Sequence, residues 1–367
     1  METIILLLLL IGVLLLIIRL WFTIKKLKMI VSPIHDNIGE CVQFPSIILV
    51  NGLSFDSYKH KVAFLGIAMS ESFKQIHTGL IQTLQNEATS NFEFHTYVPS
   101  SCDEGGLHKS LGMIIHNKYD LLFCVGIAMT RVAKDVTLEQ NMLTPVVFAA
   151  VQDPVKNNLI DSEQSSNNNL TGVCLVDFDY NKQIHFLHLL KPSVRTVLIL
   201  YCPVYGALEY DKHQTLLALS RYNIIARIAV VQCGMHEETL FAYLTSIVDG
   251  IDALLTLRDP VIISYADVLI NFCNKHGILF FSTNLDSVTQ GAAVGYGIKE
   301  GDYGVEASGL VQGILENKKL PSELPIIHLQ RRHKLRINIL TMRMQGVEMT
   351  EEQLKTFKDI ELQYTTI

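Results

Sequence analysis

Seven side chains have the type and position to hold a small charged molecule: Ser70, Ser72, Thr130, Asp153, Tyr205, Asp259 and Asp286. Each follows an apolar, strand-like run, in a loop that leads into a helical stretch. Hydroxyls and N–H groups at helix N-termini receive carboxylate oxygens, because the helix dipole concentrates positive charge there. Ser70, Thr130 and the N–H groups beside them suit that task. Asp259 or Asp286 supplies the charge to receive an ammonium. The set fits a small polar or zwitterionic ligand. Ser70, Thr130, Asp153 and Asp286 fit helix capping equally well, and a cap can serve both purposes.

No catalytic constellation accompanies them. The sequence holds no Walker P-loop, HExxH or GxSxG motif. Gly295-Tyr296-Gly297 lacks the third glycine of a dinucleotide fingerprint. His185 and His188 stand three apart on one helical stretch, a spacing that suits a metal but equally a solvated helix face. No nucleophile–base pair presents itself, so the expectation is a binding protein without cofactor or metal. The basic run Arg331-Arg332-His333-Lys334-Leu335-Arg336 reads as an exposed strand edge, where basic side chains discourage unwanted pairing; anionic lipid or a partner is the alternative.

The elements that position these loops alternate regularly. Strand-like runs fall at 62–67, 92–97, 121–125, 146–151 and 172–176, then at 196–201, 224–231, 253–257 and 278–282. Helical stretches lie between them at 73–87, 106–117, 130–139, 182–190, 208–221, 237–248 and 262–276. Strands alternating with helices of this length specify βαβ units and parallel sheets. The count divides into two doubly wound α/β halves, and such sheets bind ligands beyond the C-terminal ends of their strands.

Composition narrows the class. With 49% apolar and 18% charged residues in 367, the chain has ample core for two domains. Its net charge of −6 lacks the basic excess of a nucleic-acid binder. Seven cysteines without a CxxC pair read chiefly as buried thiols, Cys124, Cys174, Cys202 and Cys233 among them.

The N-terminus is apolar on every face from Ile4 to Ile18, and after Arg19 the stretch continues to Ile24. As a helix, residues 4–24 extend about 31 Å, close to a hydrocarbon core of about 30 Å. Glu2 precedes the run and no small-x-small cleavage site follows, which specifies a retained single-pass anchor. Arg19, Lys25, Lys26 and Lys28 all follow the run, so the positive-inside rule favours cytoplasmic lobes.

Longer motifs carry a resemblance. Pro145-Val146-Val147-Phe148-Ala149-Ala150-Val151-Gln152-Asp153-Pro154-Val155 is followed by Asn169-Leu170-Thr171-Gly172-Val173. Leu189-Leu190-Lys191-Pro192 leads to Leu200-Tyr201-Cys202-Pro203. Asp286-Ser287-Val288 precedes Gly291-Ala292, and Gly304 precedes Gly313-Ile314-Leu315. In this order and spacing the chain, from about 61 to 339, resembles the ABC-transporter substrate-binding proteins of the tryptophan/tyrosine-type group, which have the type I periplasmic binding protein fold. Departures fall in the ligand-facing loops, at 68–73, 201–203 and 257–261, so the resemblance does not carry the ligand across. Cys41 follows Ile38-Gly39-Glu40, a poor context for lipid modification.

The resemblance implies two lobes joined by three crossovers, closing on a ligand. The expected organisation is an anchor at 1–28, a linker at 29–60, a first lobe of 61–177 plus about 291–320, a second of 178–290 plus about 321–345, and a tail at 346–367. It implies a non-catalytic solute-binding component of an ABC importer, with a permease as partner and possible amino-acid cargo. The alternative is a membrane-tethered ligand sensor. An importer component must meet solute before the permease does, which places the lobes outside the cell membrane, against the flanking charges; the cytoplasmic arrangement is the alternative.

Overall fold

The apolar runs pair into two seven-stranded sheets. The computed structural model describes residues 41–49, 59–99, 103–175, 177–203, 208–329, 333–349 and 360–363. In chain order the strands are β1 (Cys41–Leu49), β2 (Lys59–Leu65), β3 (Asn91–Pro99), β4 (Leu121–Val125), β5 (Val146–Val151), β6 (Leu170–Cys174) and β7 (Thr196–Tyr201). Next come β8 (Ile225–Val230), β9 (Ala253–Thr256), β10 (Leu279–Ser282), β11 (Val294–Gly297), β12 (Ile327–His328), β13 (Lys334–Asn338) and β14 (Ile360–Gln363). The first sheet runs β1-β3-β2-β4-β5-β6-β12 and the second β14-β13-β11-β10-β9-β7-β8. Pairing is parallel except at β1–β3 and β11–β13.

The helices are α1 (Glu71–Glu87), α2 (Glu104–Ile115), α3 (Ile127–Glu139), α4 (Tyr180–Leu190), α5 (Glu209–Ser220) and α6 (Glu237–Ser246). They continue with α7 (Pro260–Ser264), α8 (Ala266–His276), α9 (Asp286–Thr289), α10 (Gly301–Leu315) and α11 (Ile339–Met344). Helices cover both faces of the central strands, so β4 and β5 are apolar at consecutive positions and not at alternate ones. The stretch expected as one helix at 262–276 is two. Asp259 caps α7, whose first turn holds Pro260, and Tyr265 closes it before α8 begins.

Among the described elements the chain passes between the sheets three times, after β6, β11 and β12. The pass after β11 delivers α10 to the first lobe, flat against α1. A methyl group on Gly79 would meet the Gly301 carbonyl, and one on Gly304 the Ile76 carbonyl, so this contact requires glycine.

The expected boundaries need correction at four points. The 29–60 linker contributes β1, because its apolar residues pair antiparallel with β3. Within 291–320, β11 belongs to the second sheet and only α10 packs on the first lobe. Within 321–345, β12 returns to the first sheet beside β6. The 346–367 tail supplies β14, which pairs with β13. The part of the basic run within β13, residues 334–336, is therefore no sheet edge: β13 lies between β11 and β14, and Arg336 turns inward to the Leu285 carbonyl at 3.1 Å. Arg331 and Arg332 lie outside the described residues.

Among the described residues no helix is long and apolar enough to cross a membrane. The expected anchor, 1–28, lies outside them. Cys124, Cys174, Cys202 and Cys273 are buried free thiols, whereas Cys233, expected as a thiol, is disulfide-bonded. His185 hydrogen-bonds the Tyr222 hydroxyl at 3.0 Å, and among the described residues no group of three or more His, Cys, Asp or Glu side chains is placed to hold a metal.

Candidate functional site

The C-terminal ends of β2, β4 and β5 meet those of β7, β9 and β10 around a cleft. Its volume open to the centres of water molecules is about 130 Å³. That is space for roughly ten waters, or a ligand with a comparable number of heavy atoms.

Two helices of the first lobe begin at this cleft. After β2 the chain turns through Gly66 to Ser70, whose buried hydroxyl caps α1 by accepting from the Phe73 N–H at 3.2 Å. After β4 it turns through Gly126, where φ of 82° suits glycine. No side chain caps α3, and Gly126, Ile127 and Ala128 line the cleft. An uncapped first turn facing a cavity attracts an anionic oxygen.

The second lobe supplies charge from the loop between β9 and α7. Arg258 grips the buried Asp211 of α5 with two hydrogen bonds, Nε to Oδ2 at 2.9 Å and Nη2 to Oδ1 at 2.8 Å. The Tyr180 hydroxyl joins both, donating to Asp211 Oδ1 at 2.6 Å and accepting from Arg258 Nη2 at 2.8 Å. Burial opposes the guanidinium charge, but Asp211 more than compensates and holds Arg258 above its usual range. Asp259 spends its carboxylate on backbone: Oδ1 accepts from Val261 and Ile262, and Oδ2 from Cys202 at 2.8 Å. Burial still pushes Asp259 up to about 6, against those three hydrogen bonds.

Glu300, at the start of α10, also lines the cleft. Burial, reinforced by the Asp286 charge, pushes its carboxyl up to about 8, although Arg258 pulls the other way. Ile67, Phe73, Ile76, Val125, Leu175, Leu208 and Ile263 make the remaining wall largely apolar. The arrangement can hold an amphipathic ligand with a carboxylate at α3, an ammonium at the acidic side chains and an apolar body between them.

Of the expected site residues, Ser70, Ser72 and Asp259 line this cleft. Thr130 does not cap: its hydroxyl is buried within α3, donating to the Gly126 carbonyl at 2.8 Å. Asp153 is exposed and holds the Lys156 N–H at 3.0 Å, away from the cleft lining. Asp286 does not cap α9; the Asn284 carboxamide does, accepting from Asp286 and Ser287. The Asp286 carboxylate instead stands 3.6 Å from Arg336, outside the cleft lining, with Oδ2 buried and without a hydrogen bond. Burial raises its pKa; Arg336 pulls it down, while Glu71 raises it. Tyr205 lies outside the described residues. Sequence reading missed Asp211, Arg258 and Glu300. Arg258 stands next to Asp259 in the loop after β9, but an acid on a helix, such as Asp211, gives no sequence sign that it faces a cleft.

Two open α/β sheets that exchange the chain three times around a shared cleft define the type I periplasmic binding protein architecture. The model of the ABC transporter substrate binding protein family matches residues 61–360, and the chain belongs to that family. Its members bind solutes and are not enzymes. Comparison with curated proteins found no match.

Among solved structures, the chain is similar to the ABC domain from Streptococcus pneumonia in complex with L-Trp: TM-score 0.68, 18% identity, covering 82% of this chain and 99% of that one. A conserved domain protein from Vibrio cholerae O1 biovar eltor gives a TM-score of 0.69 at 19% identity, covering 83% and 100%. A ligand-free, open substrate-binding protein with adhesive properties from Clostridium difficile gives 0.54 at 16% identity, covering 84% and 100%. At these identities the likeness is one of fold.

Proposed function

We propose that the protein is the solute-binding component of an ABC importer and that its cleft takes a small zwitterion with an apolar body, an amino acid being the simplest case. The observation that carries the reading is the pairing, in one cleft, of an uncapped helix N-terminus with a buried carboxyl, Glu300, that makes no ion pair among the described residues, while Arg258 forms its ion pair with Asp211. The carboxylate binds the N–H groups of α3 and the hydroxyls of Ser70 or Ser72. The ammonium goes to Glu300. Asp259 shapes the loop and adds negative potential, and Asp286 adds to it from behind. The L-Trp held by the pneumococcal protein is a ligand of this chemistry.

In the same reading residues 4–24 anchor the protein and the lobes face outward, delivering solute to a permease. The disulfide at Cys233 supports an oxidising compartment. Mass spectrometry of the ligand that co-purifies with the full chain tests the cleft chemistry, and an amine-bearing carboxylate is the expected mass. A neutral sugar in its place overturns the zwitterion reading. Protease added to intact spheroplasts tests orientation: digestion of the lobes is expected, and protection until lysis, with an exported control digested, transfers the protein to the cytoplasmic sensor class.

A further inference from the structure

The outer edge of the second sheet is unusually bare. β8 ends that sheet and pairs in parallel with β7 alone among the described strands. The Ile225 N–H donates to the Arg195 carbonyl at 2.8 Å and the Val231 N–H to the Tyr201 carbonyl at 2.9 Å. Odd-numbered residues thus turn their backbone groups toward β7. Those of Ala226, Ile228 and Val230 point away from the sheet, because alternate residues of a strand bond opposite neighbours. Side chains on this strand are apolar yet uncovered: Ile225 is 63%, Ile228 44% and Val230 52% exposed. α5, which packs on β8, adds Leu217 at 45%. Edge strands are normally protected by charges, proline, bulges or a covering element. Here the strand reads Ile-Ala-Arg-Ile-Ala-Val, with Arg227 as its one charge.

We propose that β8 is a dimerisation edge, pairing antiparallel with β8 of a second copy about a two-fold axis through Ile228. Pairing about an axis normal to the sheet joins residues of equal parity, so a few registers compete. With the axis at Ile228, Ile228 faces its own counterpart and Ala226 faces Val230. All three outward-facing residues then enter hydrogen-bonded pairs, which makes about six new backbone hydrogen bonds. Arg227 faces the small Ala229. With the axis at Arg227, two guanidinium groups meet in a non-hydrogen-bonded pair, where side chains stand closest and like charges repel. With the axis at Ala229, Ala226 has no partner within the strand. The strand is therefore self-complementary in one register, which identifies a second copy of this chain as the occupant. The two-fold closes on itself, so assembly stops at the dimer. This inference uses no part of the cleft and is independent of the ligand.

The test uses the full chain in detergent micelles, with mass measured by light scattering across a concentration series. A concentration-dependent dimer is expected. Ile228→Lys is expected to be monomeric with an unchanged circular dichroism spectrum and melting temperature. A short bifunctional thiol crosslinker is expected to join Ile228→Cys chains covalently into dimers, while Ile225→Cys and the parent chain stay uncrosslinked. A parent that is monomeric at every concentration overturns the proposal, as does a folded Ile228→Lys that still dimerises. Should Ile228→Lys not fold, the crosslinking pattern decides: Ile228→Cys reacting well above Ile225→Cys supports the edge, and equal or absent reaction overturns it.

Discussion

The Ser72 hydroxyl lies 2.6 Å from the Asn284 side-chain nitrogen, a hydrogen bond that ties the start of α1 in the first lobe to the loop after β10 in the second. Asn284 is fully buried, and its oxygen holds the first turn of α9. The contact joins the two lobes across the cleft, so any hinge opening that separates α1 from the loop after β10 breaks it. Ser72→Ala removes it without disturbing α9. A hydrogen bond of this kind contributes about 0.5–1.5 kcal/mol, so affinity is expected to fall roughly 2- to 12-fold. Titration calorimetry against the co-purified ligand measures it, and an unchanged dissociation constant removes the contact from the closure mechanism.

Arg258 and Asp211 make a second test, of stability. Asp211 is buried and Arg258 largely so, and the two are bound to each other in fork geometry, with Tyr180 completing the network. Asp211→Ala leaves a guanidinium without countercharge and is expected to cost about 3–5 kcal/mol. The paired change Arg258→Met with Asp211→Leu is expected to recover most of that loss, because it removes the charges together. Denaturant unfolding of the two variants reads the difference; a paired change as damaging as the single one contradicts the electrostatic account.

The acidic side of the cleft predicts a pH dependence. Glu300 rises from 4.5 to about 8 on folding, and Asp259 from 3.8 to about 6. The folded ligand-free protein therefore holds more protons than the unfolded chain in this range, and its stability falls as pH rises through it. For Asp259 the loss runs from about 4 to about 6; for Glu300 it extends to about 8. An ammonium beside Glu300 favours the ionised form, so binding is expected to release a proton near neutral pH and to tighten as pH rises toward 8. Glu300→Gln is expected to abolish the upper part of both trends. Calorimetry in buffers of different ionisation enthalpy counts the proton; the same count in Glu300→Gln assigns it elsewhere.

Two glycines of α10 predict opposite outcomes. A methyl at Gly304 would collide with the Ile76 backbone, whereas one at Gly309 meets open space. Gly304→Ala is expected to destabilise by about 1–3 kcal/mol through overpacking. Gly309→Ala is expected to stabilise by up to about 1 kcal/mol through helix propensity. Melting temperatures that move together instead would show that α10 does not pack on α1 as described.

Most of the two sheets was legible, because a strand buried on both faces writes itself as a continuous apolar run, as at Leu121–Val125 and Val146–Val151. β11 was not, since Val294-Gly295-Tyr296-Gly297 holds glycines that fit close under Thr283 and Asn284 and so lacks apolar bulk. β12, with two residues, gives no period to read. At the site, position after a strand found Ser70, Ser72 and Asp259. The same rule misplaced Thr130 and Asp153, because a hydroxyl or carboxylate near a loop can turn to its own backbone. Glu300 was hidden because its place in the cleft depends on the crossover that carries α10 back to the first lobe.

The central claim is that the cleft recognises an ammonium and a carboxylate on one small ligand. Titration calorimetry of the full chain with apolar L-amino acids, each beside its desamino acid, tests it most directly. Loss of a charge-assisted hydrogen bond costs about 1.5–3 kcal/mol, so the desamino partner of the best ligand is expected to bind roughly 10- to 150-fold more weakly. Glu300→Gln is expected to erase most of that gap. Equal affinity for an amino acid and its desamino partner, or a gap unchanged in Glu300→Gln, contradicts the account.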